Sequence, residues 1–417
     1  MFFSLLLSRC ARAANTDYDE VARAFETCGF ALPEELAWPR WLADHDMAIR
    51  ARLGRGEEDT LVNFVLLGVS FTAQPRVMIE ALDASLIAAR VRDFVSAVHS
   101  PGHNARLIWL RRLLDSQTQP PELWVNELVS RRLAEQRKYR AALDRAPANA
   151  PASAQFFQHR GLSLDTGFRP NWAIDRTLAD LKRRGVLTSV RRAAVIGPGL
   201  DFTDKDSGFD YYPLQTLQPF ALADSLLRHG LSTASDLRIG VFDISTETLD
   251  CIARTAHQPC TLQLVLDAGR AWDPAALAYW RRFGDHIGNP SRPLPAPPQV
   301  RNVLRRAVSI RPQIVKIIEP MPLNIVTEHA RETYDLVIAT NILVYYDAFD
   351  RALALLNIAS MMMAAGAFLA NSPLPACPAL PLHATGSVDV RYSSAAGDDD
   401  RIEIYSNSPL TRPLAPQ

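Results

Sequence analysis

Long apolar runs are missing from this chain. No segment approaches the roughly 20 consecutive apolar residues that a membrane-spanning helix requires, so no membrane span is expected. The five cysteines, Cys10, Cys28, Cys251, Cys260 and Cys377, are scattered and odd in number, which predicts free thiols in a reducing compartment. The nine histidines show no zinc-site pattern, and no metal is expected. A Gly-x-Ser-x-Gly elbow, a P-loop, internal repeats and an Arg-rich arm are also lacking. Charge of one sign is not in excess either: Lys plus Arg and Asp plus Glu number 45 each, so no long-range field would collect nucleic acid or an anionic membrane.

What is present is ample for two cores. The chain has 417 residues, of which 48% are hydrophobic. Leu82, Leu86, Val91, Phe94, Val95 and Val98 recur at a helical period, and Leu107, Leu110 and Leu114 repeat it. The pattern ends near Leu143, and the Ala/Pro-rich stretch 145–154 reads as a linker. The chain therefore divides into a helical accessory domain over 1–150, an α/β domain over 155–408 and a tail over 409–417. Phe2-Phe-Ser-Leu-Leu-Leu7 followed by Ala11-Arg-Ala13 has the outline of a signal peptide. Its short apolar core and the lack of a preceding basic residue favour a cytoplasmic protein, with export the alternative.

Three short segments carry the chemistry. Tyr334-Asp-Leu-Val-Ile-Ala-Thr-Asn-Ile-Leu-Val-Tyr-Tyr-Asp347 reads as a buried parallel strand that delivers Thr340, Asn341, Tyr345 and Tyr346 beyond its carboxyl end, where ligands sit in such sheets. Arg191-Arg-Ala-Ala-Val-Ile-Gly-Pro-Gly-Leu-Asp-Phe202 gives a strand running into the turn Gly197-Pro198-Gly199. Glycine there lets backbone approach a ligand closely. Leu237-Arg-Ile-Gly-Val-Phe-Asp-Ile-Ser245 ends a further strand at Asp243-Ile244, and an acid in that place can accept from both hydroxyls of a ribose. Val388, Val390 and Tyr392 alternate along one late strand and Ile402 and Ile404 along the next, with a turn-rich connection over 395–400, which is a hairpin signal.

Together these segments resemble the class I S-adenosylmethionine-dependent methyltransferases over roughly residues 171–408. Val195 to Gly199 matches the family's first motif, Phe242-Asp243 its ribose-binding acid, and residues 334–347 its fourth motif, which looks most like that of chemotaxis-receptor glutamate methyltransferases. The resemblance implies a Rossmann-like sheet closed by an antiparallel carboxyl-terminal hairpin, S-adenosylmethionine as cofactor, and an unidentified methyl acceptor, with a carboxylate favoured over an amine. Gly197, Pro198, Gly199, Asp243, Ile244, Thr340 and Asn341 are the cofactor residues it implies, and Asn324 is carried over as the contact after strand three, the strand itself being read at 314–318. Tyr345 and Tyr212 are expected to face the acceptor, while no general base is assigned. Gly366 is expected at a left-handed turn after a helix. Two departures stand out: Val195 replaces the usual acid and Asp201 the third glycine. Two other readings remain open, a catalytically silent binding module and a nicotinamide-dependent oxidoreductase, although the latter leaves the hairpin and fourth motif unused. Residues 161–170 could close over the cofactor as a lid, the insertion over 201–217 could supply the missing acid, and the insertion around Trp280 could form a substrate wall.

Overall fold

The structure, a computed structural model, describes residues 13–26, 28–77, 83–145, 157, 160–372, 380–395 and 397–407. The signal-like segment, Cys10, Cys377, Leu82, most of the Ala/Pro stretch and the tail lie outside these residues.

Strand β1 (Ala13–Asn15) and helix α1 (Tyr18–Phe25) lead into the 30-residue α2 (Trp38–Leu67), then α3 (Ala84–His99), α4 (Ala105–Asp115) and α5 (Pro121–Arg145). Side-chain caps fix three of these starts, with Asp17 accepting from the Glu20 backbone N–H before α1. Asp83 accepts from the backbone N–H groups of Ser85 and Leu86, and Asn104 from those of Arg106 and Leu107. The α/β part follows as α6 (Arg169–Arg183), β2 (Arg192–Ile196), α7 (Gln218–Arg228), β3 (Arg238–Asp243) and α8 (Thr246–Arg254). An inserted unit comprises β4 (Thr261–Asp267), α9 (Pro274–Arg282), β5 (Gly288–Ser291) and β6 (Val303–Ile310). The chain then continues through α10 (Pro312–Val315), β7 (Ile318–Pro322), β8 (Glu328–Ala330), β9 (Tyr334–Ala339), α11 (Ala348–Ser360), β10 (Met362–Ala370), β11 (His383–Arg391) and β12 (Asp399–Ser406).

Seven strands form the central sheet in the order β11-β12-β10-β9-β2-β3-β7. β7, β3, β2, β9 and β10 are parallel, and β12 runs antiparallel to both β10 and β11. The chain builds outward from β2 through β3 to β7 and then returns to the other side of β2 with β9. That reversal is a topological switch point, and it opens a crevice beyond the carboxyl ends of β2 and β9.

Both faces of the sheet are covered, which is why its strands read as continuous apolar runs. Val195, Val241 and Ile338 pack toward α6 and α7, whereas Ala194, Phe242 and Val337 pack toward α11. The second of these cores also takes in Phe25, Trp38, Leu42 and Ile49 from the start of the chain. β1 pairs with β8, and the Thr16 hydroxyl donates to Asn357 Oδ1 at 3.0 Å in the interior. The second half of α2 belongs to another core, with Phe64, Phe94, Leu110 and Val129, into which Leu164 and Phe202 also reach. One helix is thus shared between the sheet and the helical region.

Three details differ from the sequence reading. The stretch 314–318 is not a strand: Pro312 sits in the first turn of α10, and the strand begins only at Ile318. Pro320 and Pro322 are tolerated in it because β7 is an edge strand. Gly366 lies inside β10, at the register shift against β9, where a methyl group would come within 2.9 Å of the Met363 carbonyl and 3.0 Å of that of Tyr334. Cys28 is disulfide-bonded, so the expectation of free thiols throughout fails there, whereas Cys251 and Cys260 are buried free thiols. Among the described residues no helix is long and apolar enough to cross a membrane.

Candidate functional site

The crevice at the switch point is built by chain reversals after β2, β3 and β9. Gly197 and Gly199 adopt φ of +61° and +67°, the left-handed region that side chains strain to enter. Close approach demands glycine as well. A methyl group at Gly197 would lie 2.2 Å from Ile342 Cδ1, and one at Gly199 would lie 2.8 Å from the Leu164 carbonyl oxygen. Pro198 is buried between them.

Asp243 ends β3 and faces the same crevice. Its carboxylate accepts from the Ser245 backbone N–H at 2.8 Å, and the nearby N–H groups of Gly199 and Ile244 also favour its ionised form. Burial pushes its pKa up to about 6 against these donors. Gly197, Gly199, Asp243 and Ile244 line a small cavity of about 50 Å³ together with Leu53, Leu164, Leu323, Ile325, Ile342 and Tyr345. The four expected residues meet here.

Asn341 follows β9 in the left-handed region, with φ of +59°, a conformation asparagine tolerates better than most residues. It is fixed by a reciprocal pair across the strand ends: its backbone N–H donates to Asn371 Oδ1 at 2.8 Å, and Asn371 Nδ2 donates to Asn341 Oδ1 at 2.6 Å. Its side chain lines a second, larger cavity of about 640 Å³. Residues 164–166 run between the two cavities as a strap. The Leu200 N–H donates to the Leu164 carbonyl at 2.7 Å and the Thr166 N–H to the Leu200 carbonyl at 2.8 Å. The stretch read as a lid therefore lies directly on the glycine turn.

Insertions build the larger cavity. Asp201, Asp204 and Tyr212 come from the loop after β2, and Gln263, Trp272 and Trp280 from the inserted unit around β4 and α9. Arg106, wholly buried on α4, stands behind the loop and donates to the carbonyls of Asp201, Phe202 and Tyr212. Asp201 accepts from the Tyr212 hydroxyl at 2.8 Å and from Gln215 Nε2 at 2.9 Å, and burial raises its pKa to about 6. Burial also raises Asp204, with the neighbouring Asp206 carboxylate adding to the effect.

The remaining sequence candidates divide. Tyr212 lines the larger cavity, but its hydroxyl is committed to Asp201. Tyr345 lines the smaller one, and its carbonyl accepts from Arg52 at 2.7 Å. Thr340 is buried, with its hydroxyl accepting from Gln218 Nε2 at 2.8 Å, and lines neither cavity. Asn324 does not reach the crevice. Its side chain donates to Asp46 at 2.8 Å and accepts from the Val326 N–H in its own turn, leaving its neighbours Leu323 and Ile325 as the lining residues. Leu53 is a site residue that the sequence does not reveal, because there it reads only as a core position, whereas Leu164 falls within the stretch read as a lid.

No family model and no curated protein matches the chain. Similar solved structures include the N-methyltransferase NodS from Bradyrhizobium japonicum in complex with S-adenosyl-L-homocysteine, at 14% identity, 58% of this chain, 87% of that chain and a TM-score of 0.31. The magnesium protoporphyrin IX methyltransferase ChlM from Synechocystis with bound SAM is another, at 11% identity, 66% and 90% coverage and a TM-score of 0.28. A TehB-like SAM-dependent methyltransferase from Corynebacterium glutamicum is a third, at 10% identity, 55% and 86% coverage and a TM-score of 0.27. Likeness at this level says nothing of residues or substrates.

Proposed function

We propose that this chain is a methyltransferase that holds S-adenosylmethionine at the carboxyl ends of β2 and β3 and methylates an acceptor bound in the larger cavity. The observation that carries this reading is the switch point itself. It brings Gly197, Gly199 and Asp243 to one cavity and sets Asn341 on the wall of the next, in a sheet whose antiparallel β12 is the ending expected of the family.

The residues present suit the cofactor chemically. Asp243, already accepting from backbone, has the lone pairs to take ribose hydroxyls, and Leu323, Ile325 and Ile244 offer apolar walls for a purine. When bound, S-adenosylmethionine would supply a sulfonium-activated methyl group, whose carbon an acceptor's lone pair would attack, with the carbon–sulfur bonding pair leaving on the sulfur of S-adenosylhomocysteine. The protein's part is to hold the partners in line and exclude water, a positioning effect worth on the order of 7 to 11 kcal/mol. Space is the obstacle. Ligand pockets measure roughly 300 to 1,000 Å³, and the smaller cavity is about 50 Å³ because Ile342 and Leu164 press against the glycine turn. Cofactor entry therefore has to displace the Ile342 side chain and the strap backbone at Leu164.

That closed volume, together with Val195 in place of an acid, favours the second reading, a silent binding module. Calorimetry of the purified chain with S-adenosylhomocysteine, S-adenosylmethionine and NAD separates both readings from a nicotinamide enzyme, and transfer of label from methyl-labelled S-adenosylmethionine to an acceptor in cell extract separates the methyltransferase from the silent module. Binding of the first two in preference to NAD is expected, and Asp243→Ala should weaken it by about 1.5 to 3 kcal/mol. An unchanged affinity in the variant removes Asp243 from the site.

A further inference from the structure

The larger cavity has an electrostatic character that the cofactor reading does not use. Its wall carries five carboxylates, Asp165, Asp201, Asp204, Asp206 and Asp267, against three cations, Arg169, Lys205 and Arg270. The arginines are already committed. Arg169 pairs with Asp206 at 2.5 Å and Asp398 at 3.1 Å, and Arg270 pairs with Asp398 at 2.5 Å and Asp206 at 3.6 Å. Lys205 lies 3.8 Å from Asp165 Oδ2, and Asn63 Nδ2 donates to the same oxygen at 2.8 Å. Among the described residues Asp201 and Asp204 make no ion pair: hydroxyl, amide and N–H donors hold their carboxylates, and Arg106 and Arg169 act on them only from beyond ion-pair distance.

Two buried groups add an independent sign of a ligand. Asp165 Oδ1, on a side chain with 0% exposure, has no hydrogen-bond partner, and neither has Trp280 Nε1. Both residues line the cavity. Leaving such groups unmade in the interior is unfavourable, and a ligand carrying an N–H donor and an oxygen acceptor removes that penalty. The aromatic part of the wall suits a cation as well, since Trp272 already holds the Arg270 guanidinium 4.8 Å from its ring centroid.

We infer that the larger cavity binds an organic ammonium ion with an oxygen acceptor elsewhere on the molecule, and that this amine is the methyl acceptor. The carboxylate acceptor implied by the fourth motif would instead enter a wall with surplus negative charge. An ammonium must lose a proton before its nitrogen can be methylated, and Asp201 and Asp204 are buried carboxylates of the cavity, outside the ion pairs, that can take it. The acceptor role rests on the methyl-transfer reading, whereas amine binding does not.

The test is calorimetry on the full chain with tyramine and with phloretate, its carboxylate counterpart bearing the same phenol and a two-carbon spacer, each titrated with and without S-adenosylhomocysteine. Tyramine is expected to bind at least about tenfold more tightly than phloretate, the worth of hydrogen bonds to a charged group. Asp204→Asn should weaken tyramine several-fold while leaving S-adenosylhomocysteine affinity nearly unchanged, and Asp165→Asn should also weaken tyramine several-fold. Phloretate binding as well as tyramine, or neither binding, overturns the amine site. Tyramine binding without any S-adenosylhomocysteine binding keeps the amine site and removes methyl transfer. The reverse result keeps the cofactor and removes the amine.

Discussion

The two cavities lie on opposite sides of a few residues of strap and share almost nothing in construction. The smaller is made by the sheet: Gly197, Gly199, Asp243 and Ile342 all follow the carboxyl ends of strands, and Asp243 is the one acid on its wall. The larger is made by insertions, with Asp201 and Asp204 from one loop and Trp272 and Trp280 from another unit, and its wall is rich in carboxylates. The contrast teaches where specificity resides in this molecule. A strand end constrains the residues around it to one geometry, while inserted loops on the same scaffold can be given any charge. Chain from the amino-terminal region supports both, through Leu53 in the smaller cavity and Arg106 behind the larger.

The largest expected effect removes that shared support. A chain beginning at Phe156 lacks β1, α1 and α2, and so uncovers the sheet face on which Phe25, Trp38, Leu42 and Ile49 are buried. Stripping several large apolar side chains from one core, at about 2 to 5 kcal/mol each, exceeds the stability of an ordinary domain. The truncated chain should show no cooperative thermal transition. A sharp transition together with S-adenosylhomocysteine binding would mean that the α/β part is a separable unit with its boundary near residue 150, and that the smaller cavity needs nothing from the helices.

A smaller effect probes the smaller cavity by pH. Burial raises Asp243 to about 6, so the folded protein holds this proton more tightly than the unfolded chain does. The group's contribution to stability is therefore full below its unfolded pKa near 4 and is lost as pH rises through about 6. Binding has the opposite sign, because ribose hydroxyls donate to the ionised form. Affinity for S-adenosylhomocysteine should fall by about tenfold between pH 7 and pH 5, and Asp243→Asn should flatten that dependence. Isothermal titration across this range checks both. A flat profile in the unmodified protein would mean that Asp243 is not a ligand-facing carboxylate.

Much of the smaller cavity was legible in sequence because its residues sit at fixed offsets from short apolar runs. Gly197, Gly199 and Asp243 could be placed from the two strands before them, whereas Asn341, placed in the same way from the third, lies on the wall of the larger cavity. Asn324 was misplaced for a local reason: the strand before it begins at Ile318 instead of 314, and the turn that follows spends the asparagine on Asp46 and Val326. Leu53 and Leu164 reach the site through tertiary contacts that periodicity cannot report. The charge of the larger cavity was hidden differently. Its acids were visible as a loop sequence, but a loop of aspartates reads as solvated surface until Arg106 is seen gathering its carbonyls into the interior.

The smallest predicted effect addresses the closed volume. Ile342 is only half-buried, yet its Cδ1 lies so close to the glycine turn that a methyl group on Gly197 would sit 2.2 Å away. Ile342→Ala removes that obstruction without touching Asp243 or the strap's bonds to Leu200. If the crevice is closed in the free protein, the affinity seen for a ligand is reduced by the fraction of molecules that are open, and a variant that opens it regains that factor. S-adenosylhomocysteine should then bind a few-fold more tightly to Ile342→Ala, roughly 0.5 to 1 kcal/mol, at a similar cost in thermal stability. Tyramine affinity should not move, since Ile342 lines the smaller cavity and not the larger. Weaker cofactor binding in the variant would show instead that Ile342 is a wall of the occupied site, and a parallel change in tyramine would show that the strap couples two cavities described here as independent.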